Sequence, residues 1–276
     1  MDSYPVFNNF ADSLLILVNA VDRIVEKIKS ADYSKVIDSI VAMGEYASYI
    51  CALEEIKWPL YNVRDNEFRQ AIVDAHKSNC KSEQINEIVF SFFSTDQIVK
   101  MKERWLSSTV IKPERLDVLA EAVNMHNLGY YYASTSILMC QLYGVSNDIV
   151  EFSQQQGIEL NEDDKKEVSD FYNMRLDKLK HSEKGQLMQM LFISDISTGT
   201  WYSFAKYIKE IVLDSSSTQV YWSTQPLRNK ICHGNQLCYG TKEHSLKAIL
   251  IIDLLFNLAD ELKYYAEHHT EECNDE

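Results

Sequence analysis

Within the stretch QPLRNKICHGNQLCYG, residues 225–240, an arginine, a carboxamide and an imidazole follow one another closely as Arg228, Asn229 and His233. These residue types suit one reaction well: cleavage of an RNA phosphodiester by attack of the adjacent 2′-hydroxyl. That reaction needs a base for the hydroxyl, an acid for the leaving oxygen and positive charge at the crowded phosphorus. Arg228 offers a planar, permanently charged fork that matches two phosphate oxygens. His233 titrates near neutrality and can take or give a proton, while Asn229 can hold either group by hydrogen bonds. One histidine cannot be acid and base at the same instant. Two copies of the segment facing each other across a two-fold axis can divide the roles, so the chemistry predicts a composite site in a homodimer, and it calls for no metal.

The elements that would position these groups are legible around them. Thr224 can cap a short helix with Pro226 in its first turn, and Gly234 can end that helix in the left-handed conformation, which places His233 in the last turn. There the unpaired carbonyls favour the imidazolium. On an ideal helix Asn229 and His233 share a face, whereas Arg228 and His233 diverge by roughly 140° and only the arginine's length can close the gap. The bland reading of the same residues is a capping histidine and a surface arginine. Two further pairs at comparable spacing, Arg69 with His76 and Arg175 with His181, lie in charged amphipathic stretches and read as solvated faces.

Around the segment, Lys230, Lys242 and Lys247 are candidate RNA contacts, with Lys206 and Lys209 on the preceding helix; the alternative is a solvated helix face. Tyr239 is a further candidate, and with Tyr130, Tyr131, Tyr132, Trp201, Tyr202 and Trp222 it could stack unpaired bases, although aromatic side chains more often fill cores and interfaces. A zinc site from Cys232, His233, Cys238 and His244 lacks the close cysteine pair that zinc folds use. No glycine-rich phosphate loop or dinucleotide fingerprint occurs, so no cofactor is expected.

The whole chain sets limits on this chemistry. Its 276 residues hold only 8 Gly and 4 Pro, few turn-formers for a protein of many short strands, and the composition favours an all-α fold. A formal charge of −14 repels polyanions on average, so contact with RNA must be local. The start, MDSYPVFNNF, lacks the basic and apolar regions of a secretory leader, and the six cysteines are scattered, which suggests reduced thiols in the cytoplasm. The longest apolar run, LKAILIIDLLFNLA, carries Asp253 and reads as a buried helix, with no membrane association expected.

Periodicity predicts helices over residues 10–28, 33–56, DNEFRQAIVDAH, SEQINEIVFSFF, a long one from Pro113 to Leu142 closed by Gly144, one beginning at EDDKKEV, one over SFAKYIKEIVL and a last one over residues 243–265. The polar stretch from Asn147 to Asp170 reads as a solvated excursion that leads into the EDDKKEV helix. A boundary near residue 110 would divide an N-terminal helical region, 1–110, from a second domain, 111–276.

The run LRNKICHG followed by YGTKEHSLKAILIIDLL resembles the signature of the HEPN superfamily, particularly bacterial HEPN ribonucleases of the abortive-infection and toxin kind. The stretch RLDVLAEAVNMHNLGYYYASTSILMCQLYG is similar to the earlier long helix of that family, and the resemblance covers roughly residues 113–265. It implies an up-and-down bundle of four or five helices, dimerising so that two motifs face one cleft. It also implies metal-independent endoribonuclease activity on RNA such as tRNA, in antiphage defence or as a toxin, with Arg228, Asn229 and His233 matching the motif. Where relatives often place an acid before the glycine of the long helix, this chain has Tyr143; Glu121 lies further up the same stretch. The family fold also serves non-catalytic interaction modules and subunits restrained by an antitoxin or awaiting an activating partner, and both remain alternatives.

Overall fold

A computed structural model describes residues 34–194, 200–214 and 221–269. The helix expected over residues 10–28 lies outside these, as do the side chains of Trp201 and Tyr202 and the cysteine at position 273. The described residues form twelve α-helices and one π-helical turn, with no strand among them. The described residues are therefore all-α, as the composition suggests.

Two compact units divide the chain. The smaller comprises residues 1–56 and 64–85, the larger residues 57–63 and 86–276, so the division does not fall near residue 110. In the smaller unit α1 (Ser34–Ile56) packs against α2 (Asn66–Lys77). Asp65 caps α2 by accepting the Phe68 amide at 2.8 Å. Arg69 lies over the rings of Tyr46 and Tyr49, and His76 meets Glu55 at 2.7 Å, so this Arg/His pair is divided between separate structural contacts.

The helix α3 (Ser82–Phe92) spans the division, and the larger unit continues through α4 (Thr95–Leu106), α5 (Pro113–Asn127) and α6 (Tyr131–Gln155). The single long helix expected over residues 113–142 is thus two. Gly129, at φ +82°, takes the left-handed turn that lets α5 and α6 pack as an antiparallel hairpin. Gly144, expected as a terminator, lies inside α6. A Cβ there would meet the Arg115 guanidinium at 1.9 Å, so the glycine makes room for that arginine to reach Asp148, whose carboxylate accepts from Arg115 Nε at 2.8 Å. The expected excursion after Asn147 is also absent, because α6 runs on to Gln155 and only residues 156–161 separate it from α7 (Glu162–Phe171).

Next come α8 (Leu176–His181), α9 (Glu183–Ser194), α10 (Thr200–Tyr207) with its π-helical turn Ile208–Val212, the short α11 (Arg228–Cys232), and α12 (Lys242–His269). The centre of this unit is α12, which packs on α4, α5, α6 and α9. Residues Leu246, Ile249, Ile252, Leu255 and Leu258 are fully buried, so the apolar run is a core helix, and no described helix is long and apolar enough to cross a membrane.

Asp253, in the middle of that run, accepts from Trp105 Nε1 at 2.7 Å and pairs with Arg104, while the Trp105 ring stacks on Phe256 with centroids 5.1 Å apart. Burial pushes its carboxyl up and the Arg104 charge opposes this. Replacing Asp253 with Ala leaves the indole without its acceptor and takes the buried carboxylate from Arg104, which keeps only Asn257 and the more distant Asp260; it is expected to cost about 3 kcal/mol, read as a lower urea midpoint with an unchanged slope.

Candidate functional site

The residues Arg228–Cys232 form a helix of little more than one turn. Leu227 occupies its N-cap position with no side-chain cap, so the expected cap at Thr224 and the first-turn role of Pro226 are not realised; both residues precede the helix. Its end follows expectation more closely. His233 is the C-cap residue, its amide bonds to Asn229 O at 3.2 Å, and Gly234 follows at φ +71°. His233 is exposed, and its imidazole makes no hydrogen bond to a described residue.

The arginine is held from two sides. Its guanidinium lies 4.1 Å over the Tyr143 ring, and Nη1 donates to Asn229 Oδ1 at 3.1 Å. Asn229 is itself fixed, because its Nδ2 donates to Leu213 O at 3.1 Å. Arg228 Nε is buried with no acceptor, and Nη2 makes no hydrogen bond to a described residue. Burial raises the Tyr143 phenol, with the Arg228 charge opposing and Glu183 reinforcing, so the ring meets the cation as a neutral face. Glu183, at the start of α9, is the carboxylate near this pair. Glu121 is exposed on α5.

One face of α6 underlies the whole segment. Tyr132, Ser136, Cys140 and Tyr143 recur at helical spacing over about 16 Å, and the motif chain runs past them in the opposite direction. Tyr143 meets Arg228, Cys140 meets Cys232 with 3.3 Å between sulfurs, and Ser136 bonds the Tyr239 hydroxyl at 2.8 Å. Tyr132 donates to Leu237 O at 3.1 Å and packs edge-on against Tyr239, with ring centroids 5.1 Å apart. Gly240 permits that approach, since a Cβ there would lie 2.1 Å from the Tyr132 ring. Tyr130, Tyr132 and Leu237 are exposed, which leaves aromatic and apolar surface at this end of the segment.

What closes the segment on itself is a buried residue that spacing did not single out. Gln236 donates to Trp222 O at 2.7 Å and to Gln225 O at 2.9 Å, and accepts the Leu227 amide at 3.1 Å. It therefore joins the chain before α11 to the chain after it. Gln225 extends the network to the Tyr207 hydroxyl at 2.7 Å and to Lys57 O at 3.1 Å. His244 lies against Trp222 O at 3.2 Å and Thr241 Oγ1 at 2.7 Å. Trp222 O can only accept, so Nε2 carries the proton of the neutral imidazole, and Nδ1 accepts from the Thr241 hydroxyl, whose oxygen in turn accepts the His244 amide.

Lys247 belongs to this network and corrects an expectation. It is only 1 % exposed, donates to Thr224 O at 2.8 Å and Glu243 at 2.7 Å, and lies over the Trp58 ring. Burial pushes its amine down to about 8. Its charge is used inside the fold and cannot meet RNA. Lys230 and Lys242 are half-buried, Lys242 over the Phe90 ring, and Lys206 and Lys209 are likewise half-buried on α10 and the π-helical turn.

The imagined zinc ligands do not converge: among the described residues no three His, Cys, Asp or Glu side chains group to hold a metal ion. Arg175 bonds Asp177, two residues on, while His181 lines a cavity of about 230 Å³ with Lys165, Lys180 and Glu159. Both of those lysines bond Glu162. No protein-family model, curated protein or solved structure matches this chain.

Two outcomes test this construction. Gln236→Leu keeps the volume but orphans the Gln225 carbonyl and the Leu227 amide, while Trp222 O keeps His244 and Cys238; it is expected to cost roughly 3 kcal/mol and to raise hydrogen exchange across residues 221–236. The second concerns His126, which bonds Ser245 at 2.7 Å, touches Tyr131 and feels the charge of Lys242. Burial, then Lys242, lowers its imidazole to about 4. A folded value below the unfolded one means that its stability is complete above about pH 6.5 and lost as pH falls toward 4, on the order of 3 kcal/mol. The urea midpoint should drop between pH 7 and 4.5, and less so in His126→Gln.

Proposed function

We propose that the protein is a metal-independent endoribonuclease with a HEPN-like helical domain, acting in antiphage defence or as a toxin. The observation that carries this reading is the state of the motif: an exposed imidazole at a helix end, one turn from a guanidinium that is positioned without being neutralised. Arg228 rests on a neutral ring and a carboxamide instead of a carboxylate, so its charge is available to a phosphate. Nη2 makes no hydrogen bond to a described residue, which leaves that arm of the guanidinium for an anion.

In this mechanism Arg228 binds the two non-bridging phosphate oxygens and stabilises the charge that builds on them as the 2′-oxygen attacks. His233 of one copy removes the hydroxyl proton, and His233 of a second copy protonates the departing 5′-oxygen, leaving a 2′,3′-cyclic phosphate. Asn229 is a positioning residue, linking Arg228 to the Leu213 carbonyl. Tyr132, Tyr239 and Leu237 give the adjoining surface on which an unpaired base can stack.

A second reading, a non-catalytic helical interaction module, draws on the exposed Leu128, Tyr130, Tyr132 and Leu237. Cleavage of end-labelled tRNA and single-stranded RNA in EDTA separates the two. The wild type is expected to produce cyclic-phosphate ends, with Arg228→Ala and His233→Ala each slower by at least a hundredfold and folded by circular dichroism. Equal rates in all three proteins overturn the catalytic reading.

A further inference from the structure

We propose that Cys140 and Cys232 are an oxidative modification site, forming an intramolecular disulfide that fastens α11 to α6 beside His233. The two sulfurs stand 3.3 Å apart. A disulfide requires about 2.05 Å, so about 1.2 Å of closure is needed, within reach of small side-chain rotations between helices that already pack together. The other described thiols are not placed this way. Cys51 and Cys80 belong to the smaller unit, and Cys238 lies 3.0 Å from the Trp222 carbonyl. The cysteines are scattered along the chain, as the sequence shows, and the fold brings two sulfurs 92 residues apart into contact.

Exposure assigns the order of events. Cys140 is open to solvent while Cys232 is half-buried, so a peroxide meets Cys140 first. The Cys140 thiolate takes one oxygen from hydrogen peroxide, giving a sulfenic acid and a hydroxide ion that picks up a proton from solvent. The sulfur of Cys232 then attacks the Cys140 sulfur, the S–S bond forms, and the hydroxyl leaves as water with the Cys232 proton. The two thiols lose two electrons in all and the peroxide gains them. Burial, and then the contact with Cys140, push the Cys232 thiol up to about 11, which keeps it protonated and makes it the less reactive of the two toward peroxide.

The bond would lie directly before His233 and one turn after Arg228. Because α11 is so short, tying its last residue to α6 leaves the imidazole little freedom to approach a substrate or a second copy. This consequence for cleavage rests on the ribonuclease reading; the bond itself does not.

The test is peroxide treatment of the full chain, alkylation of the remaining thiols, and tryptic mass mapping without reductant. A Cys238→Ser background makes the assignment unique, because positions 232 and 238 share the tryptic peptide 231–242. The expected result is a 140–232 linked peptide, lost with dithiothreitol and absent in Cys140→Ser. Cleavage by the reduced protein should fall at least tenfold on oxidation, return with reductant, and resist peroxide in Cys140→Ser. Free or over-oxidised Cys140 without the link, or a link only between two chains on a non-reducing gel, overturns the proposal. A linked peptide with unchanged cleavage keeps the bond and removes the regulation. A linked peptide in a protein that never cleaves RNA keeps the bond and defeats the ribonuclease reading alone.

Discussion

A helix as short as Arg228–Cys232 closes too few internal hydrogen bonds to offset the cost of starting it. The candidate site therefore exists only because something outside the helix holds both of its ends. That role falls to the Gln236 side chain, whose three bonds tie Trp222, Gln225 and Leu227 to the chain beyond Gly234. Lys247 and His244 anchor the same segment to the first turns of α12 through the carbonyls of Thr224 and Trp222. A buried amide satisfied on both of its atoms is more restrictive than apolar packing, because each bond has a direction as well as a distance. The orientation of Arg228 and His233 is inherited from this network.

The face of α6 supplies the other half of the positioning. Its residues at helical spacing meet the motif segment one after another, and the contact made by Tyr143 has a chemical consequence. A carboxylate in that place would hold the guanidinium by neutralising it, and a bound phosphate would have to compete with it. The π face of Tyr143 attracts the same cation while leaving its formal charge intact. Glu183 lies near enough to raise the phenol further, so an acid is present in the region without being paired to the arginine. In a chain of formal charge −14, a cation kept unneutralised is a local exception to the average field.

Much of the fold was legible because helical periodicity and helix-stop chemistry act locally. The start of α2 at Asp65, the end of α11 at Gly234 and the burial of the run around Asp253 all follow from residues a few positions apart. The errors share one cause. Gly144 was read as a stop because glycine is a poor helix former, but its partner Arg115 lies on another helix. Gly129 was passed over inside an unbroken apolar period, since period alone does not report a turn that reverses direction. Lys247 was read as a surface cation because lysine usually is one, and only the fold brings Glu243, Thr224 and Trp58 around it.

For the candidate site, the sequence by itself determined which polar and titratable groups are present and that a glycine ends their helix, since residue type and a one-turn span decide both. The tertiary structure alone decided that Arg228 rests on Tyr143, that Gln236 closes the segment, and that Cys140 touches Cys232. Those contacts join residues remote in the chain or set by side-chain direction, and no local spacing encodes which face of α6 the segment will meet.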